Sequence, residues 1–151
     1  MTSIQTVYDA FLAKMLEDEW GTWEEEEVNA DLRMFLNAAI SRFKFPRVDL
    51  TIVPANDESN DLGEDAFADT LSQIEIEILA SYMKVEWVNR SILTWENIKP
   101  LYEERDFSQA NLLDKLNQLL NAEKLNALNL ERIYYRSRDT KPFDYTALAG
   151  D

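Results

Sequence analysis

The sequence predicts a mainly α-helical protein: a bundle of about four to five helices with a small β-hairpin or extended loop and an irregular C-terminal tail. Three observations predict it. Apolar residues recur at spacings of three and four through most of the 151 residues, which puts them on one face of a helix. Only 3 Gly and 4 Pro interrupt the chain, so turns are few and elements long. One short run, "RVDLTIVPAN", is instead rich in β-branched residues and nearly alternates, which is the pattern of a strand.

In chain order, Ser3 caps a first helix whose stripe is Ile4, Val7, Tyr8, Phe11, Leu12, Met15 and Leu16. Gly21 ends it and Thr22 can cap the next. Val28, Leu32, Phe35, Leu36, Ala39, Ile40 and Phe43 form the second stripe. Glu24 to Glu27 occupy its first turns, where the helix dipole favours negative charge. Pro46 stops this helix, because the residue before a proline leaves the α region. A strand ending at Pro54 follows, then the polar loop "NDESNDLGED", then "AFADT" as the returning strand of a hairpin.

Ser72 opens a third helix and Glu75 completes a capping box. The start, "IEIEIL", alternates, so a strand over Ile74 to Ile78 is thinkable; a length of about 20 residues and the later periodicity favour a helix. Thr94 caps a shorter piece, "TWENIKPLYEE". Ser108 caps the last long helix, with Leu112, Leu113, Leu116, Leu119, Leu120 and Leu128 on its buried side and Asn and Gln opposite. We divide the chain into one helical domain, residues 1–136, with the extended insertion at about 47–70, and a partner-binding tail, residues 137–151. No internal repeat is evident.

Composition removes whole classes of function. Cys and His are both 0, so disulfides, the usual zinc ligands, histidine general bases and Cys–His nucleophiles are all missing. We read the chain as non-enzymatic, with no cofactor and no metal. The opening residues lack the basic region and A-x-A site of a secretory signal. No apolar run approaches the ~18 residues of a membrane span. The net charge of -14 repels phosphates and anionic membranes, so DNA is a ligand only if it must slide past or is being imitated.

Four charged regions invite a site. "DESNDLGED", Asp57 to Asp65, offers alternate oxygens at Asp57, Ser59 and Asp61. A calcium loop of the EF-hand kind needs Gly sixth and Glu twelfth; here Gly63 is seventh and Ala68 twelfth, so the reading is a solvated loop. "DEWGTWEEEEVNAD" crowds carboxylates between Asp18 and Asp31. Its reading is a dipole-matched helix start, flanked by Trp20 and Trp23 as anchors. No Lys or Arg lies between Arg47 and Lys84. In a ring of identical subunits that stretch, with Asp57, Glu58, Asp61, Glu64 and Asp65 in it, becomes an acidic belt. The C-terminal stretch has the opposite character. "ERIYYRSRDTKPFDY" carries Tyr134, Tyr135, Arg136, Arg138, Lys141, Phe143 and Tyr145, residue types enriched at interfaces.

The order "LSQIEIEILASYMKVEWVNRSI", linker, "RDFSQANLLDKLNQL" resembles the head–tail connector (adaptor or neck) proteins of tailed bacteriophages. The likeness covers about Leu71 to Leu120, and its strongest pieces are "EIEILASYMKVEW" and "DFSQANLLDKL". The N-terminal helices share only the plan of helix, helix ending in F-K-F-P, then an extended segment. The family pattern would place a histidine near Leu112, where this chain has leucine. The resemblance implies a virion protein, made in the host cytoplasm and built into the neck. Its copies would form a ring, dodecameric in the family, beneath the portal. The ring would extend the DNA channel and dock the next neck or tail-completion protein, with the C-terminal segment reaching the portal and Asp57, Glu58, Asp61, Glu64 and Asp65 facing the channel or the neck partner. DNA would pass without specific binding. The competing readings are another neck or tail-completion protein, and an acidic DNA mimic that inhibits a DNA-binding protein.

Overall fold

The computed structural model of the protein describes residues 1–14, 25–98 and 107–136. Its elements are β1 (Thr2–Ser3), α1 (Ile4–Lys14), α2 (Glu25–Arg42), β2 (Ile52–Val53), β3 (Ala66–Phe67), α3 (Gln73–Ile98) and α4 (Phe107–Arg136). The mainly helical class with a small hairpin is therefore what the chain adopts. None of the described helices is long and apolar enough to cross a membrane.

Local chemistry sets most of the boundaries. The Ser3 hydroxyl accepts the Gln5 N–H at 3.1 Å, the expected N-cap. The capping box at α3 also forms: the Ser72 N–H and hydroxyl both donate to Glu75 Oε1 at 2.8 Å, and the Glu75 N–H reaches Ser72 Oγ at 3.4 Å. α2 ends at Arg42, shortly before Pro46.

α3 is the central element. It packs against α1, α2 and α4, so Ile76, Ile78, Leu79, Tyr82, Met83, Val85 and Val88 are all buried. A helix enclosed on several sides carries no single stripe. That explains why "IEIEIL" looks like a strand and is a helix: Glu75 turns inward to hydrogen bonds, and Glu77 pairs with Lys14 of α1 at 2.7 Å. α1 supplies Val7, Tyr8 and Phe11 to the core, and α2 supplies Leu32, Phe35, Leu36 and Ala39. Ion pairs tie α2 outward as well: Asp31 to Arg90 at 2.7 Å, Arg33 to Asp65 at 3.0 Å, and Arg42 to Glu86.

The hairpin is shorter than read, two residues per strand, and it gains a third strand. β3 lies between β1 and β2, antiparallel to both, with Phe67 opposite Thr2 and Ile52. A two-residue N-terminal strand has no periodicity to detect. It is held by Met1, whose amine donates to Thr70 Oγ1 at 3.2 Å, and by the Leu71 N–H on Thr2 Oγ1 at 2.8 Å.

Two caps are corrected. α3 runs through Thr94 to Ile98 as one helix, because no Gly or Pro stands between Ser72 and Pro100 and a lone Thr costs a helix only about 0.7 kcal/mol against Ala. α4 begins at Phe107, so Ser108 is inside its first turn. The readings at Met15, Leu16, Trp20, Gly21, Thr22 and Trp23 lie outside the described residues, as do Pro100 to Asp106 and the side chains of Val28 and Leu112.

Ser81 in α3 is fully buried, and its hydroxyl has no hydrogen-bond partner among the described residues. Ser81→Ala removes that desolvation penalty and a weaker helix former together. The expected result is a gain of about 1 kcal/mol in urea denaturation.

Candidate interaction site

The inner face of α4 runs through Leu113, Leu116, Leu120, Glu123, Ala127, Leu130, Glu131 and Tyr134, at spacings of three and four. Its first half is only half-buried, whereas Ala127, Glu131 and Tyr134 are buried. Two buried polar clusters fix the second half. In one, the Tyr134 hydroxyl donates to Glu75 Oε2 at 2.8 Å and accepts the Arg47 N–H at 2.8 Å. The Arg47 guanidinium donates to the Tyr134 carbonyl at 2.8 Å and stands 4.5 Å from the ring centroid, a cation–π contact. In the other, the Tyr82 and Tyr135 hydroxyls both donate to the Glu131 carboxylate, the latter at 2.8 Å. Lys84 adds an ion pair to Glu123 at 3.1 Å.

These carboxylates oppose tyrosinate formation. Burial is the main cause raising Tyr134 to about 12; the Arg47 N–H works against it and Glu75 with it. Burial and then Glu131 raise Tyr135 to about 12 and move Tyr82 in the same direction. Tyrosine in an unfolded chain loses its proton near pH 10. The folded state keeps these protons longer, so their contribution to stability is intact below pH 10 and is lost as pH rises through about 12. Unfolding free energy should therefore fall across that window, and Tyr134→Phe should flatten part of the fall. Denaturant titrations at stepped pH check this.

The acidic loop between β2 and β3 is held by Asn60. Its side-chain amide reaches the carbonyls of Val53, Pro54 and Glu64 at 3.1, 3.0 and 2.8 Å, and its oxygen accepts the Leu62 N–H at 2.9 Å. Gly63 takes φ +72°, a left-handed conformation that glycine adopts without strain. Asp57 accepts the Ser59 hydroxyl and N–H at 2.6 and 2.8 Å, and these bonds hold its carboxyl below the usual range. Asp65 is committed too, to Arg33 and to the Ala55 N–H at 3.0 Å. Glu58, Asp61 and Glu64 are left pointing to solvent. Among the described residues no group of three carboxylates gathers as a metal site.

The sequence-predicted sites divide accordingly. Tyr134, assigned to a partner surface, is 2 % exposed; its ring packs edge-on against Phe43 at 5.4 Å and belongs to the core. Tyr135 is 38 % exposed, and Arg136 is exposed at the end of α4. Arg138, Lys141, Phe143 and Tyr145 lie outside the described residues. Leu128, assigned to the core, is exposed, as are Leu125 and Ile133. The cause is the two acids on the inner face: Glu123 and Glu131 interrupt the apolar pattern there, and the leucines beside them draw the reading one face round. Sequence reasoning also missed an open cleft of ≈ 580 Å³ between α2, α3 and α4, with Met34 and Leu93 exposed at its wall. Neither family models, characterised proteins nor solved structures give a match to this chain.

Proposed function

We propose that this chain is a head–tail connector (adaptor) subunit of a tailed bacteriophage, forming a ring on the portal that extends the DNA channel and docks the next neck or tail component. The observation that carries the reading is the resemblance over "EIEILASYMKVEW" and "DFSQANLLDKL". These segments begin α3 and α4, the two longest helices of the described chain. The physical arrangement suits the role. Long rigid helices offer opposed faces for head-to-tail contacts, which close by rotation. An acidic lumen offers DNA few phosphate contacts, so DNA can move. The tail residues Arg138, Lys141, Phe143 and Tyr145 are the portal-facing part of the proposal, and the loop carboxylates Glu58, Asp61 and Glu64 face the channel or a neighbour.

Native mass measurement of the purified protein, alone and mixed with the portal protein of the same phage, tests it. The expected result is a cyclic multimer on the portal. A monomer that ignores the portal and binds a basic DNA-binding protein instead would support the DNA-mimic reading, which the charge of -14 also allows.

A further inference from the structure

The outer face of α4 is unlike the rest of this acidic protein. Leu125, Leu128, Arg132, Ile133 and Arg136 fall at spacings of three and four, so they share one face. All are exposed: Leu125 is 62 %, Leu128 46 % and Ile133 55 % accessible. The exposed charges from residue 124 to residue 136 are Lys124, Arg132 and Arg136, all cationic. The acids nearby are already engaged, Glu123 by Lys84 and Glu131 by two tyrosines. This is an aliphatic row rimmed by cations on a chain of net charge -14.

The hairpin loop presents the inverse. Leu62 is 47 % exposed at its turn, flanked by the exposed carboxylates of Glu58, Asp61 and Glu64. Among the described residues, neither set of charges forms an ion pair within its own chain. Both surfaces are also pre-shaped. Asn60 fixes the loop through three carbonyls, and the Glu131 and Tyr134 bonds fix the helix, so little ordering cost remains on contact.

We propose that the outer face of α4 receives the hairpin loop of a second copy of this chain. Leu62 packs on the row of Leu125, Leu128 and Ile133, while Glu58, Asp61 and Glu64 meet Arg132 and Arg136. The contact is heterologous: every copy gives a loop and takes one, so successive copies repeat a single rotation and can close into a ring. It neutralises like charge where subunits meet, which an acidic protein needs in order to associate at all. The inference rests on the ring reading and supplies its lateral contact.

The chain has no cysteine, so single thiols report cleanly. A Leu62→Cys protein mixed with an Ile133→Cys protein, at low salt and treated with a short bismaleimide, should give a cross-linked dimer at least tenfold above either protein alone. Arg132→Glu with Arg136→Glu, placed in the Ile133→Cys partner, should cut that yield at least tenfold. Glu58→Lys, Asp61→Lys and Glu64→Lys in the Leu62→Cys partner should restore it. All positions are exposed, so circular dichroism should not change. Equal yields in mixed and unmixed samples, or indifference to charge reversal, would overturn the contact. If the unmodified chain rings on the portal and the thiols stay unlinked, the contact alone is wrong. If it neither rings nor cross-links, both readings fall.

Discussion

Tyr134→Ala is expected to destabilise the fold by about 4 kcal/mol, the upper range for truncating a buried aromatic. The ring fills a site beside Phe43 and under the Arg47 guanidinium. Its hydroxyl also satisfies a Glu75 oxygen and the Arg47 N–H. Tyr134→Phe keeps the ring and removes only the hydroxyl. It should cost about 2 kcal/mol, the range for a hydrogen bond to a buried charged group. The two variants thus separate packing from polar satisfaction. Combined with Glu75→Gln, the phenylalanine variant should show a coupling of at least about 1 kcal/mol, because both changes remove the same bond. Stability of a domain this size is typically about 5–15 kcal/mol, so the alanine variant loses a large share. Urea denaturation reads all three. An alanine variant within about 0.5 kcal/mol of the parent would mean that the end of α4 is not docked as described.

Phe67→Ala should have a comparable effect, about 3–5 kcal/mol, and a wider consequence. Phe67 is fully buried in the central strand of the sheet and belongs to the core cluster. With Leu50 and Leu71 it joins the hairpin region to the helical core. Its loss leaves a cavity under β3 and frees the loop that carries Leu62 and its carboxylates. Stability by denaturation and protection of the Leu62 and Asn60 amides from exchange should therefore fall together. The Ser81→Ala gain and the alkaline loss between pH 10 and about 12 are smaller effects of the same packing.

What the sequence made legible follows from periodicity and from local rules. α1 and α2 each lie against one neighbouring surface, so their stripes at Val7, Phe11, Leu32, Leu36 and Ala39 map directly onto burial. The capping box at Ser72 and Glu75 is a three-residue rule, and it formed. The hairpin is legible in "RVDLTIVPAN" because β-branched residues in near alternation are a local pattern, although only Ile52–Val53 of that run pairs as a strand. Failures occurred where tertiary context decides. The third strand depends on Thr2 and Ser3 meeting residues more than sixty positions away. The burial of Tyr134 depends on Glu75 and Arg47, which no local pattern connects to it. The outward turn of Leu125, Leu128 and Ile133 was hidden because Glu131 is the inward residue, satisfied by two tyrosines. The acidic loop could be located from composition. Which of its carboxylates remain unengaged could not, since Asp57 and Asp65 are spent on bonds within the fold.

Imaging of phage particles that carry this chain with a small label fused to its N-terminus bears most directly on the connector proposal. A connector subunit should give a ring of label at the portal vertex, between head and tail, and particles without the chain should package DNA but lack tails. Label absent from purified particles, or spread through the infected cell with no vertex density, would contradict it.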